Sequence, residues 1–288
     1  MNESRASRRT ERPSRRALTI RRLSLIARRD LKIVLTSKTV VLTMIVVPLL
    51  LLVLLPGAFG ALMPLMAQTE DVSEIRQFLE MMPPTMRDSL AGYNETQLLT
   101  VALLIYFFAP LFLILPMMTA SVIAAGSFAG EKERGTMEAL LYTPTTDAEL
   151  FVGKLLSAWI PALAITLGGF LLYGTVVNVA AWPTMQRIFF PNLMWVLLIV
   201  WLAPAAAGLG LSSMVLISSK VNNFQDAYQL GGMVVIPIVV LMIGQLSGVL
   251  FFSPLLVLGV GLILWIIDAV LLVVGVRTFK RSEILARL

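Results

Sequence analysis

Six apolar runs, each long enough to cross a bilayer as a helix, leave this chain few possible folds. They lie at about 39–62, 98–128, 155–180, 193–218, 230–252 and 255–276. A helix needs roughly 20 apolar residues to span the hydrocarbon core. Water cannot satisfy backbone N–H and C=O groups there, so only helices and closed barrels cross it. Runs of this length, without the alternation of barrel strands, are helices. The expected class is an all-α membrane protein with six transmembrane helices. Charged residues form only 14% of the chain, against about 25% in a soluble domain.

The loops orient the bundle. Twelve of the 23 Lys and Arg residues precede Thr39. With the N-terminus inside, the cytoplasmic segments hold 20 of them and the outer loops only Arg76, Arg87 and Arg187. Positive charge collects on the cytoplasmic side of membrane proteins, so both termini are expected there. The net charge of +6 therefore reads as topology and contact with the lipid bilayer, with no nucleic acid as partner.

No Cys or His occurs. Thiolate and imidazole metal sites, disulfides and Cys–His or Ser–His–Asp nucleophiles are excluded together. Only carboxylates remain to hold a hard cation.

The parts divide as follows. Residues 1–16 form a disordered basic tail. Residues 17–38 carry Ile20, Leu23, Ala27, Leu31 and Val34 on one stripe, with Arg21, Arg22, Arg28, Arg29 and Lys32 away from it. This is an amphipathic interfacial helix along the inner leaflet. The six-helix transmembrane domain covers 39–276, and 277–288 is a basic cytoplasmic tail. The first run is a permanent helix, because its basic leader and apolar length exceed those of a signal peptide.

The external loop, 63–97, contains a short helix begun by Asp71 and Glu74 and ended by Pro83 and Pro84. Asn94 with Gln97 caps the second span; the triplet Asn94-Glu95-Thr96 also fits a glycosylation acceptor, and the cap is the preferred reading. Pro48, Pro56, Pro110, Pro116, Pro161, Pro204 and Pro237 lie inside spans, where they kink helices and free carbonyls. Gly126 with Gly130, Gly244 with Gly248, and the run APAAAGLGLSS provide small surfaces for close helix packing.

The most polar interior stretch, GEKERGTMEALLYTPTT, separates the second and third spans. Glu131 and Arg134 are three apart and can pair on a helix surface. Gly135 suits a helix end. Thr136 caps a new short helix, Met137–Tyr142, with Glu138 in its first turn and Pro144 closing it. Thr146 and Glu149 box the start of the third span. About six residues do not hold a helix alone in water, so this one must pack on something. Its apolar side, Met137, Leu140, Leu141 and Tyr142, can rest on the membrane helices or on a soluble partner.

The segment SFAGEKERGTMEALLYTPTTDAELFVGKLL resembles the one after the second span in permease subunits of ABC type-2 exporters. The family pattern, E-x-E-x-G-T-x-E-x-L-L-x-T-P followed by Gly-Lys, is met at Glu131, Glu133, Gly135, Thr136, Glu138, Leu140, Leu141, Thr143, Pro144, Gly153 and Lys154. The entry IARRDLKIVLTSKTVVLTMIVVPLLL resembles the family's first helix, with Asp30 where Glu is common. The ending VRTFKRSEIL resembles its basic C-terminus. The resemblance implies that 130–146 is a coupling segment. Its short coupling helix would dock on a separate ABC ATPase, with Glu131, Glu133, Arg134, Gly135, Thr136, Met137, Glu138, Leu140, Leu141 and Pro144 as the docking residues. It also implies two ATPase copies, a second copy of this permease or a related one, and residence in a prokaryotic plasma or inner membrane.

The ATPase itself is not in this chain. A phosphate-binding loop needs G-x-x-x-x-G-K-[ST]. The one Gly-Lys pair, Gly153-Lys154, has Ala148 at the first Gly position and Leu155 after the Lys. No cofactor is expected here, and ATP and Mg belong to the partner. The chain is expected to be non-catalytic.

One carboxylate lies deep within a span, Asp268. A charge at mid-bilayer costs roughly 2.5–3.5 kcal/mol on insertion scales and usually faces inward. Asp268 with Gln245 is a possible intramembrane polar site, Ser247 being a further candidate partner. The alternative to an ATP-driven exporter is an ATPase-independent six-helix channel or ion-coupled carrier using Asp268. An intramembrane enzyme has little to stand on without His, Cys or a second deep acid.

Overall fold

The computed structural model describes residues 46–68, 80–88, 92–135, 147–221, 223–247 and 249–278, with positions 42, 77 and 90. The basic tail 1–16, the interfacial helix 17–38, most of the outer helix after Asp71, residues 136–146 and the end of the C-terminal tail lie outside them.

Among the described residues, six helices are long and apolar enough to cross a membrane: α1 (Val46–Met66), α2 (Glu95–Glu133), α3 (Phe151–Ala180), α4 (Leu193–Ser218), α5 (Phe224–Leu246) and α6 (Pro254–Gly275). All six predicted spans are present. The fold is all-α, and among the described residues there is no strand.

Helix α2 is the hub. Within its most apolar stretch 78% of residues are buried, against 17% for α5 and α6. Helices α3, α4 and α5 pack on α2, α1 packs on α3, and α6 packs on α4. Small residues let α2 and α4 approach. A side chain added at Gly210 would meet the Met117 carbonyl oxygen at 2.5 Å and the Ser121 Oγ at 2.8 Å. Ala203, Ala205, Ala206 and Ala207 are buried beside it. Of the predicted glycine pairs, one member of each has a neighbour over it, and Gly248 lies outside the described residues. Gly130 is covered by the Arg134 side chain of its own helix, and Gly244 by Leu250 of the turn after α5.

Three spans loosen into π-helical turns: Leu50–Leu54 in α1, Ala102–Phe107 in α2 and Leu198–Leu202 in α4. Each ends two or three residues before a proline, at Pro56, Pro110 and Pro204. Proline lacks an N–H and its ring crowds the carbonyl four residues back, so the preceding turn widens. In the π register the Ile105 carbonyl faces Pro110, which has no proton to give. The indole Nε1–H of Trp195 donates to it instead, at 2.9 Å. The Tyr173 hydroxyl donates to the neighbouring Leu104 carbonyl. Tyr173 and Trp195 stack, with ring centroids 4.9 Å apart. Pro161, by contrast, sits within a continuous helix.

Trp195→Phe keeps the ring packing and removes this donor. It is expected to lower stability by about 1–3 kcal/mol, the cost of leaving a buried acceptor unmet. Thermal unfolding in detergent checks this, and an unchanged midpoint would show that the Ile105 carbonyl has another partner.

The cap at the start of α2 forms as predicted. Asn94 Oδ1 accepts from the Gln97 N–H at 2.9 Å, and Gln97 Oε1 accepts from the Asn94 N–H at 3.1 Å. The Gln97 Nε2 also donates to the Thr184 carbonyl at 3.0 Å, joining the first turn of α2 to the loop after α3. The fifth span differs from expectation. It runs Phe224–Leu246 rather than 230–252. Asn223 Oδ1 accepts from the Asp226 N–H at 2.8 Å, which starts the helix in a polar turn.

Candidate functional site

The end of α2 is where sequence and structure converge. The helix runs to Glu133, Arg134 follows as its C-cap, and Gly135 has φ 65°. That left-handed conformation strains any residue with a Cβ, so Gly135 ends the helix, as its sequence position predicts.

Glu131 and Lys154 form a buried ion pair, each side chain only 1% exposed. The Lys154 ammonium also donates to the Ser127 carbonyl at 2.6 Å and lies 5.1 Å from the centre of the Phe128 ring. The pair joins the last turns of α2 to the first turns of α3. These two helices bracket residues 136–146, so the insert leaves and rejoins a base whose two sides are bonded to each other.

The sequence suggested a different partner for Glu131. Arg134 instead turns back and donates to the Gly126 carbonyl at 3.3 Å. Glu131 faces inward toward α3, where a counter-charge offsets the large cost of burying a carboxylate. Lys154 was visible as part of the Gly153-Lys154 motif. Its role was not, because a pairing over 23 residues has no local spacing rule.

The next two residues reach other helices. Lys132 Nζ donates to the Val221 carbonyl at 3.0 Å, just past α4. Glu133 Oε2 accepts from the Phe224 N–H at 2.8 Å, at the start of α5. Three successive charges at the end of α2 thus bond to α3, to the end of α4 and to the start of α5. The remaining predicted docking residues, Thr136, Met137, Glu138, Leu140, Leu141 and Pro144, lie outside the described residues.

The predicted intramembrane site does not assemble. Asp268 is 2% exposed on α6 and its carboxylate lies against Gly208 of α4, where any side chain would overlap it. Gln245 is 1% exposed on α5. Neither Asp268 oxygen and neither polar atom of the Gln245 side chain has a hydrogen-bond partner among the described residues, so the two do not bond to each other. Gln245 is one residue from the end of α5, whereas Asp268 is 14 residues into the returning helix α6. At 1.5 Å per residue that is about 20 Å along the axis. Two deep polar residues looked like one site only because a linear sequence carries no helix register.

Comparison with curated proteins gives no match, and comparison with solved structures gives none. A family model described as ABC-2 family transporter protein matches residues 24–256. That range holds α1 to α5, the start of α6 and the whole charged insert, and the chain therefore belongs to the ABC-2 transporter family, the multi-pass membrane component of transporters that work with ABC ATPases.

Proposed function

We propose that this chain is the permease subunit of an ATP-binding-cassette exporter. Hydrolysis by a separate ATPase is coupled, through 130–146, to alternating access of the six-helix domain and efflux of a substrate. The observation that carries the reading is the buried Glu131–Lys154 pair under the insert. A solvated loop between two spans needs no desolvated ion pair at its base. A segment that takes force from a soluble partner needs both of its sides held to the helices it moves.

The working unit on this reading has two permeases, this chain twice or with a related one, and two ATPases that bind ATP and Mg. The chain carries no catalytic residues of its own. The insert and both termini face the cytoplasm, and the complex sits in a prokaryotic plasma or inner membrane. Co-reconstitution tests the assignment: ATP-dependent, vanadate-sensitive efflux from proteoliposomes is expected only when permease and ATPase are both present. Efflux that proceeds without the ATPase would overturn it.

One observation supports a second reading, an ion-coupled carrier: Asp268 is buried and has no partner among the described residues. On the ATP-driven reading its carboxyl is a packing group against Gly208, and Asp268→Asn is expected to leave transport unchanged across pH. A loss of transport, or a shifted pH profile, would favour the carrier.

A further inference from the structure

Lys132 and Glu133 sit side by side at the end of α2, yet they bond to opposite kinds of backbone group. Lys132 meets the Val221 carbonyl at the C-terminal end of α4, and Glu133 meets the Phe224 N–H at the N-terminal end of α5. The last carbonyls of a helix are unpaired and carry its negative end; the first amides are unpaired and carry its positive end. Each charge therefore meets the helix terminus of opposite sign. Asn223 strengthens the arrangement from within the turn by capping Asp226. A solvated charge run would show no such order.

We propose that Lys132 and Glu133 are positioning residues, a clip that makes the 221–224 turn, and with it the start of α5, move with the base of the insert. This inference rests on the coupling reading above and extends it from α2 and α3 to the neighbouring pair of helices. Lys154 fastens one side of the base and the clip fastens the other, so a displacement of the insert reaches α3 and α5 together.

The chain has no native Cys, which allows clean spin-label pairs in the permease–ATPase complex in lipid nanodiscs. The first pair, Val152→Cys with Gln225→Cys, spans the foot of α3 and the start of α5. The second, Val152→Cys with Ile263→Cys, refers the foot of α3 to α6, which carries neither bond. All three positions, Val152, Gln225 and Ile263, are exposed on their helices. Distances are read without nucleotide and after trapping with ATP and vanadate.

The second pair is expected to shift on trapping while the first stays constant. The exchange Lys132→Glu/Glu133→Lys keeps the net charge but sets each charge against the wrong helix end. In that background the first pair is expected to broaden and shift on trapping. Glu133→Gln keeps an oxygen acceptor for the Phe224 N–H and is expected to hold the first pair constant. A first pair that shifts in the unaltered clip, or stays constant after the exchange, would overturn the clip alone. A second pair that never responds to nucleotide would remove the coupling reading, and the clip with it.

Discussion

Lys154→Met is expected to destabilise the protein by about 3–5 kcal/mol, the usual cost of removing one member of a buried ion pair. The Met side chain fills much of the same volume, so the loss is electrostatic more than steric. The Glu131 carboxylate stays at 1% exposure without the ammonium that offsets its desolvation. Against a total stability of about 5–15 kcal/mol, that is a large fraction, and thermal unfolding in detergent should record a marked drop. Pairing the change with Glu131→Gln removes the buried charge as well, and most of the stability is expected to return, because neutral replacements of buried pairs are often tolerated. A single variant as stable as the unaltered protein would mean that the pair is not desolvated in the membrane.

The second large effect concerns the insert itself. Leu140→Asp with Leu141→Asp is expected to weaken ATPase binding by at least about a hundredfold, since two buried Leu side chains together contribute about 3–6 kcal/mol. Membrane insertion and the stability of the six-helix domain should not change. Glu138→Lys acts in the same direction more weakly, about 0.3–1 kcal/mol, by placing a positive charge at a helix start. Binding of nanodisc-embedded permease to the ATPase checks both. The contrast with Lys154→Met separates the two roles: one variant lowers stability with the docking residues intact, the other lowers docking with the bundle intact.

Much of this architecture follows from local chemistry. Apolar length marks all six spans, because hydrocarbon admits little else. Pro56, Pro110 and Pro204 foretell loosened turns, and Gly135 foretells a helix stop, since each acts through its own backbone. Asn94 and Gln97 cap α2 because both partners lie within one turn. The start of α5 escaped hydropathy: its first turn, from Phe224 to Ala227, is capped and polar, and an apolar window passes over it. The Glu131–Lys154 pair and the separation of Asp268 from Gln245 were illegible for a different reason. Both depend on how helices are rotated and set against one another, and no periodicity within a single span records that. The family pattern named Glu131, Glu133 and Lys154 as a group, and only the packed structure shows that each bonds to a different helix.

On the proposed coupling function, residues 136–146 touch an ABC ATPase. The most direct measurement is site-specific photocrosslinking from a benzophenone amino acid placed at Leu141, with one at Arg187, in the loop between α3 and α4, as the control on the opposite face. An ATPase adduct is expected from Leu141 and none from Arg187. No adduct from Leu141, or equal adducts from both positions, would contradict it.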